Sequence, residues 1–253
     1  MDISIAAEKL FSLFGFPVTN AFFWTIAVSL TLSLIALFSR SKFQDIPRGF
    51  QNIVEAVFES LLALVDSVMK DRVQTARFFP LIATLFLFVL FSNWLGLLPG
   101  MGTIGMKADH GGEATLIPFL RSGSADLNTT IALSLIVVFT IQAAGIIALG
   151  LRGYAKKFFI SPFHKPYVIG TFVGLLELLG EATKILSFSF RLFGNIFAGE
   201  VLLTVMLHLV PYVLPLPFLL FEIFVGFIQA FVFAMLTLVF LKMAMLPHEE
   251  HAS

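Results

Sequence analysis

Six charged or amide residues interrupt one apolar stretch of this chain: Glu177, Glu181, Lys184, Arg191, Asn195 and Glu200 all fall between Val168 and Val210. At bilayer depth each ion costs on the order of 2.5–3.5 kcal/mol on insertion scales, so ionisable groups placed there move protons, hold ions or pair with partners. With about 100° per residue and Glu177 at the origin, Glu181 falls at about +40°, Lys184 at about −20°, Arg191 at about −40° and Asn195 at about 0°. These form one polar stripe, whereas Glu200, at about 140°, lies on the other face. Arg191 therefore stands between two acid-bearing zones, with Glu177 and Glu181 before it and Glu200 after it.

Glu181 and Lys184 are spaced i, i+3, with Glu177 a further turn back, and this spacing allows pairing within the helix. Arg191 has no such neighbour: its i±3 and i±4 positions are Phe188, Gly194, Ser187 and Asn195. A guanidinium cannot shed its charge by deprotonating, so its counter-ion comes from elsewhere. Glu222 or Asp126 of the same chain would make a structural pair; a carboxylate of another subunit is the alternative. Ser187, Ser189, Gly194, Ala198 and Gly199 are small and permit the close approach of a neighbouring helix. Glu222 and Gln229 lie seven apart and share a face of the last helix. Glu200 with Glu222 would make a proton-exchanging pair, although a single Glu in an apolar helix also serves as a neutral, hydrogen-bonded group. His208 is a relay candidate or an interfacial side chain. Asp126, ahead of Leu127, Asn128 and Thr129, reads as a helix N-cap or as a channel entry.

The elements that must position these groups follow from composition. Of 253 residues 58% are hydrophobic and 13% charged, against about 25% in soluble domains. The mean hydropathy is +0.96. The pattern predicts an all-α polytopic membrane protein, one membrane domain across 1–253, with spans over 21–38, 79–98, 127–151, 168–210 and 218–246. The last two segments exceed one bilayer: a continuous helix over 168–210 reaches roughly 60 Å and must tilt, bend or break. Residues 50–69 are amphipathic. Three acids, Glu55, Glu59 and Asp66, make a span costly there, so the segment is expected to lie at the interface, or else to pack on its own bundle. A polar, Gly-rich loop is expected between the second and third spans, up to Asp126. Lys and Arg concentrate in 39–78 and 152–167, which places those loops on the cytoplasmic or matrix side, the N-terminus outside and the C-terminus inside. No secretory or transit-type leader is read at the start, which favours a bacterial inner membrane over an organellar one.

Other chemistries are poorly supported. Gly100, Gly102 and Gly105 match a dinucleotide-binding spacing, but they follow an apolar helix and open no amphipathic one, so no pyrophosphate cradle is expected. Zero cysteines exclude thiolate and Cys-zinc chemistry, and the five histidines form no metal-binding spacing. Net charge is zero, so no global field recruits nucleic acid. No cofactor or metal is expected.

The run from Ser187 through Arg191, Gly194, Asn195 and Ala198 to Glu200 resembles the signature of the a-subunit family of the F-type ATP synthase membrane sector. Asp126–Thr129, Leu176, Glu177, Lys184, Ile228, Gln229, Phe231 and 236–238 extend the similarity from about residue 79 onward. The resemblance implies a proton-translocating stator that binds no nucleotide and catalyses no reaction itself. Its expected partners are a c-subunit ring, b-type peripheral stalk subunits, the F1 sector indirectly, and the lipid bilayer. Arg191 would match the family's essential arginine, facing the ring carboxylates between two offset half-channels and coupling ion flow to rotation and ATP synthesis. Glu200, Glu222 and Gln229 match positions of the outer half-channel and the arginine's surroundings, with Asn195 one turn from Arg191. Many members pair Glu with His at the positions of Glu200 and Glu222, in either order; this chain carries Glu at both. A secondary proton or cation transporter is the competing reading, but the internal repeat usual in that class is absent.

Overall fold

The computed structural model describes residues 7–13, 15–40, 43–44, 47–98, 105–110, 113–118, 121–158, 167–210, 213 and 215–246. The glycine motif at 100–104, Pro162, Pro166, Pro211 and the polar tail lie outside them. Among the described residues a hairpin of β1 (Lys9–Leu13) and β2 (Phe16–Thr19) precedes α1 (Asn20–Arg40), α2 (Phe50–Met69) and α3 (Arg72–Gly96). A second antiparallel hairpin follows, β3 (Gly105–His110) with β4 (Glu113–Pro118), then a 3-10 turn at Gly123–Ala125. The chain ends with α4 (Leu127–Phe158), α5 (Tyr167–Leu209) and α6 (Pro215–Met245).

Five of the six helices are long and apolar enough to cross a membrane; α2 is the exception. Its C-terminal half packs on the bundle through Leu61, Val65 and Met69, all buried, while Ile53, Val57 and Phe58 in the first half are exposed. Its end is set by Lys70, which adopts a left-handed conformation (φ 53°) and whose amide donates to the Asp66 carbonyl at 2.9 Å. Asp71 then caps α3, its carboxylate accepting from the Val73 amide at 2.9 Å.

The core joins α3, α4, α5 and α6 through Phe86, Val89, Ile141, Leu192, Phe233, Leu238 and Leu241. Phe188 meets Phe233 edge-on, centroids 5.1 Å apart. The helix ends are tied across the bundle. Lys242 donates to the Met69 carbonyl at 2.9 Å, joining the ends of α6 and α2. At the opposite end Asn93 donates to the Gly226 carbonyl at 3.1 Å and Trp94 to the Ile223 carbonyl at 2.9 Å, clamping α3 onto α6.

The over-long segment resolves without a break: α5 runs as one 43-residue helix. The expected Gly-rich loop is instead organised by the β3–β4 hairpin and by a buried turn. Likewise α4 does not stop at 151. Gly150 breaks it (φ 73°, ψ 158°), and helical residues resume at Leu151. The chain folds back there, so that Tyr154 donates to the Gln142 carboxamide oxygen and its ring packs on Gly145. These Gly150 angles are open essentially to glycine alone. Replacing Gly150 with Ala is expected to cost about 1–3 kcal/mol, read as a lower apparent Tm of the detergent-solubilised protein; an unchanged Tm contradicts the fold-back.

Candidate functional site

Around Arg191 one face of α5 is exposed among the described residues. Phe188, Leu192, Ile196 and Gly199 are buried, whereas Ser187, Phe190, Arg191, Gly194, Asn195 and Ala198 are exposed. The exposed set recurs at i, i+3, i+4, i+7, i+8 and i+11, a helical stripe in which three small residues, Ser187, Gly194 and Ala198, flank one guanidinium. Arg191 donates to Ser187 Oγ at 3.4 Å, and among the described residues it forms no ion pair.

The acids that were open as counter-ions are engaged or held elsewhere. Asp126 caps α4, accepting from the Asn128 amide at 3.3 Å through Oδ1 and from Thr129 Oγ1 at 3.1 Å through Oδ2. Asn128 adds a side-chain bond to the same Oδ1 at 3.3 Å. Glu222 is 4% exposed and packs against Gly199, where a Cβ would overlap its carboxyl group. Its Oε1 is buried without a hydrogen-bond partner among the described residues. Glu200 faces Arg121, Oε2 to Nε at 3.5 Å. No hydrogen bond joins Glu200 to Glu222 among the described residues.

On the other side of Arg191, Glu181 and Lys184 form the expected i, i+3 ion pair at 2.7 Å, and the ammonium also sits 5.0 Å from the Phe240 ring centroid. Glu177 lies half-buried one turn before Glu181. Gly180, Thr183, Lys184, Ser187, Phe188, Arg191, Leu236 and Phe240 line a groove of about 310 Å³ between α5 and α6, which ends at the arginine. Asn195 does not contact Arg191: its Nδ2 donates to Gln229 Oε1 at 2.7 Å, joining α5 to α6 one turn beyond the guanidinium. His208 is exposed near the end of α5. Arg121, Asn93 and Trp94 carry no local motif. Only the three-dimensional packing brings them to this end of the bundle.

The arrangement is a fixed cation on an open helix face, with a groove leading to it from one end and two acids beyond it at the other, Glu222 buried and Glu200 partly exposed. A family described as "ATP synthase A chain" matches residues 21–242. This chain belongs to that family. Its relatives include an "ATP synthase subunit a" of Gloeobacter violaceus, 37% identical over 227 residues, 90% of this chain and 84% of that protein. The protein of the same name from Campylobacter jejuni (strain 81-176) is 33% identical over 92% of this chain and 93% of its own length. That of Moorella thermoacetica is 34% identical over 86% of each. Family membership decides against the secondary-transporter reading.

The Gly199–Glu222 contact is directly testable. G199A forces the Glu222 carboxyl from its seat, and E222A removes the obstacle. The stability losses of the two single variants are therefore expected to be non-additive, with the double variant at least about 0.5 kcal/mol more stable than their sum, as for contacting residues. Additive losses in apparent Tm contradict the packing.

Proposed function

We propose that Arg191 is the charge through which this chain couples proton movement to the motion of a neighbouring subunit. As a member of its family the chain is a proton-translocating membrane subunit of an ATP synthase and is not itself catalytic. The observation that carries the reading is the exposure of Arg191 on a stripe of small residues, without an acid of its own chain among the described residues. A guanidinium neither accepts nor gives up a proton near neutrality, so it blocks direct passage along α5. It also attracts any ionised carboxylate that passes along the open face. A ring of c subunits, each presenting one such carboxylate, is the partner that fits.

Two offset routes then serve that carboxylate. Glu200 and Glu222, about 13 Å beyond Arg191 along the axis for Glu200, belong to the outer route, with Gln229 and Asn195 bridging α5 to α6 beside the arginine. The groove from Gly180 and Lys184 to Arg191 belongs to the inner route. A proton arriving from outside neutralises the ring carboxylate, rides the ring through lipid, and leaves through the groove when the carboxylate returns to Arg191. The ionised carboxylate is held by the guanidinium and the protonated one is not. This asymmetry makes rotation obligatory for transport.

The b-type stalk subunits would hold the chain against torque, with α1 and the exposed first half of α2 available for contact or for the lipid surface. Bacterial relatives and the clustering of Lys and Arg in two loops support a bacterial plasma membrane.

The test replaces Arg191 by Gln and by Lys in the assembled synthase. R191Q is expected to assemble with its partners yet to bring ATP synthesis and ATP-driven proton pumping in vesicles to background. R191K, which keeps the charge but loses the planar fork, is expected to be strongly impaired as well. Synthesis at the unmodified rate in R191Q sinks the reading.

A further inference from the structure

Arg121 is 7% exposed, although sequence places it in a polar loop. It is drawn into the bundle by the turn that follows. Ser122 Oγ donates to the Ser92 carbonyl of α3 at 3.1 Å, and a Cβ on Gly96 would lie 2.7 Å from Ser122 Cβ. Gly123 sits against Thr25 of α1. Arg121, Ser122, Gly123, Ser124, Ala125 and Asp126 are all buried, so two helices fix the turn that carries the guanidinium to Glu200. At the adjacent position of α5, Gly199 exposes bare backbone to the Glu222 carboxyl, whose Oε1 is unpartnered among the described residues. The Glu222 carboxyl thus packs at the position next to the one that bears Glu200, whose own carboxyl faces a non-titrating cation.

An ionised Glu200 is attracted by Arg121; a protonated one is neutral and loses the charge part of that attraction. We propose that Arg121 is a positioning residue for proton transfer in the outer route, holding ionised Glu200 at the bundle's outer end and releasing it toward Glu222 once it carries a proton. A proton from outside water binds the Glu200 carboxylate, whose side chain then turns from Arg121. The proton passes to the Glu222 carboxylate, and Glu200, again ionised, returns to the guanidinium. Glu222 in turn delivers the proton to the ring carboxylate. The inference rests on the outer-route reading of Glu200 and Glu222 above.

The experiment measures ATP-driven proton pumping by the whole synthase in liposomes for R121Q, R121K, E200Q and the double variant R121Q/E200Q, with assembly checked on native gels. R121Q is expected to slow pumping roughly tenfold, within the coupling range of contacting residues. R121K should recover most of the rate, and the double variant should be no slower than E200Q alone. A merely structural arginine would not give that non-additivity. If E200Q alone pumps like the unmodified complex, the outer-route reading falls. If E200Q is slow and R121Q multiplies its loss, or if R121Q fails to assemble where E200Q assembles, only the assignment of Arg121 falls.

Discussion

A charge that cannot be neutralised by proton loss is held on the open face of α5, and much of the surrounding structure keeps this chain's own acids away from it. Glu181 is paired with Lys184, Glu200 with Arg121, Asp126 with the first turn of α4, and Glu222 is seated against Gly199. Any one of these acids within reach of Arg191 would quench it, and a buried or half-buried pair of that kind is costly to break. The fold thus leaves the Arg191 guanidinium without a carboxylate of its own chain among the described residues, which is the ground for the proposed partner from outside the chain.

The helices around that face serve to hold it rigid and unobstructed. α3 clamps α6 through Asn93 and Trp94, and Lys242 ties α6 to the end of α2. The aromatic contact between Phe188 and Phe233 fixes the buried side of α5 directly behind the exposed stripe. A stator has to resist displacement while a neighbour moves past it, and close packing behind a face of small residues meets both demands.

Much of this was legible from sequence. Long apolar runs gave the membrane-spanning class because a lipid-facing backbone bonds within its own segment. Helical spacing gave the polar stripe and the Glu181–Lys184 pair, since both are local. Other features depend on contacts remote in sequence and carry no periodic signal. The seat of Glu222 needs Gly199, 23 positions earlier, and the partner of Glu200 is Arg121, from a segment that composition alone presents as a solvated loop. Sequence pattern also missed both hairpins: β1–β2 is short, and the Gly-rich region before Asp126 hides the alternation that would mark strands. Continuation of α4 past Gly150 was missed because glycine there acts as a corner between two helical segments. The amphipathic segment is expected from its pattern to lie at the interface, with packing on the bundle as the alternative; α2 packs its second half on the core and leaves its first half exposed.

The most direct measurement of the central claim is the structure of the assembled membrane sector, in which the nearest carboxylate to the Arg191 guanidinium is identified. The account predicts a carboxylate of a neighbouring subunit facing the Ser187–Ala198 stripe, close enough to bond the guanidinium directly or through one water. An Arg191 paired to Glu222 or another acid of its own chain, with that stripe turned to lipid, would contradict it.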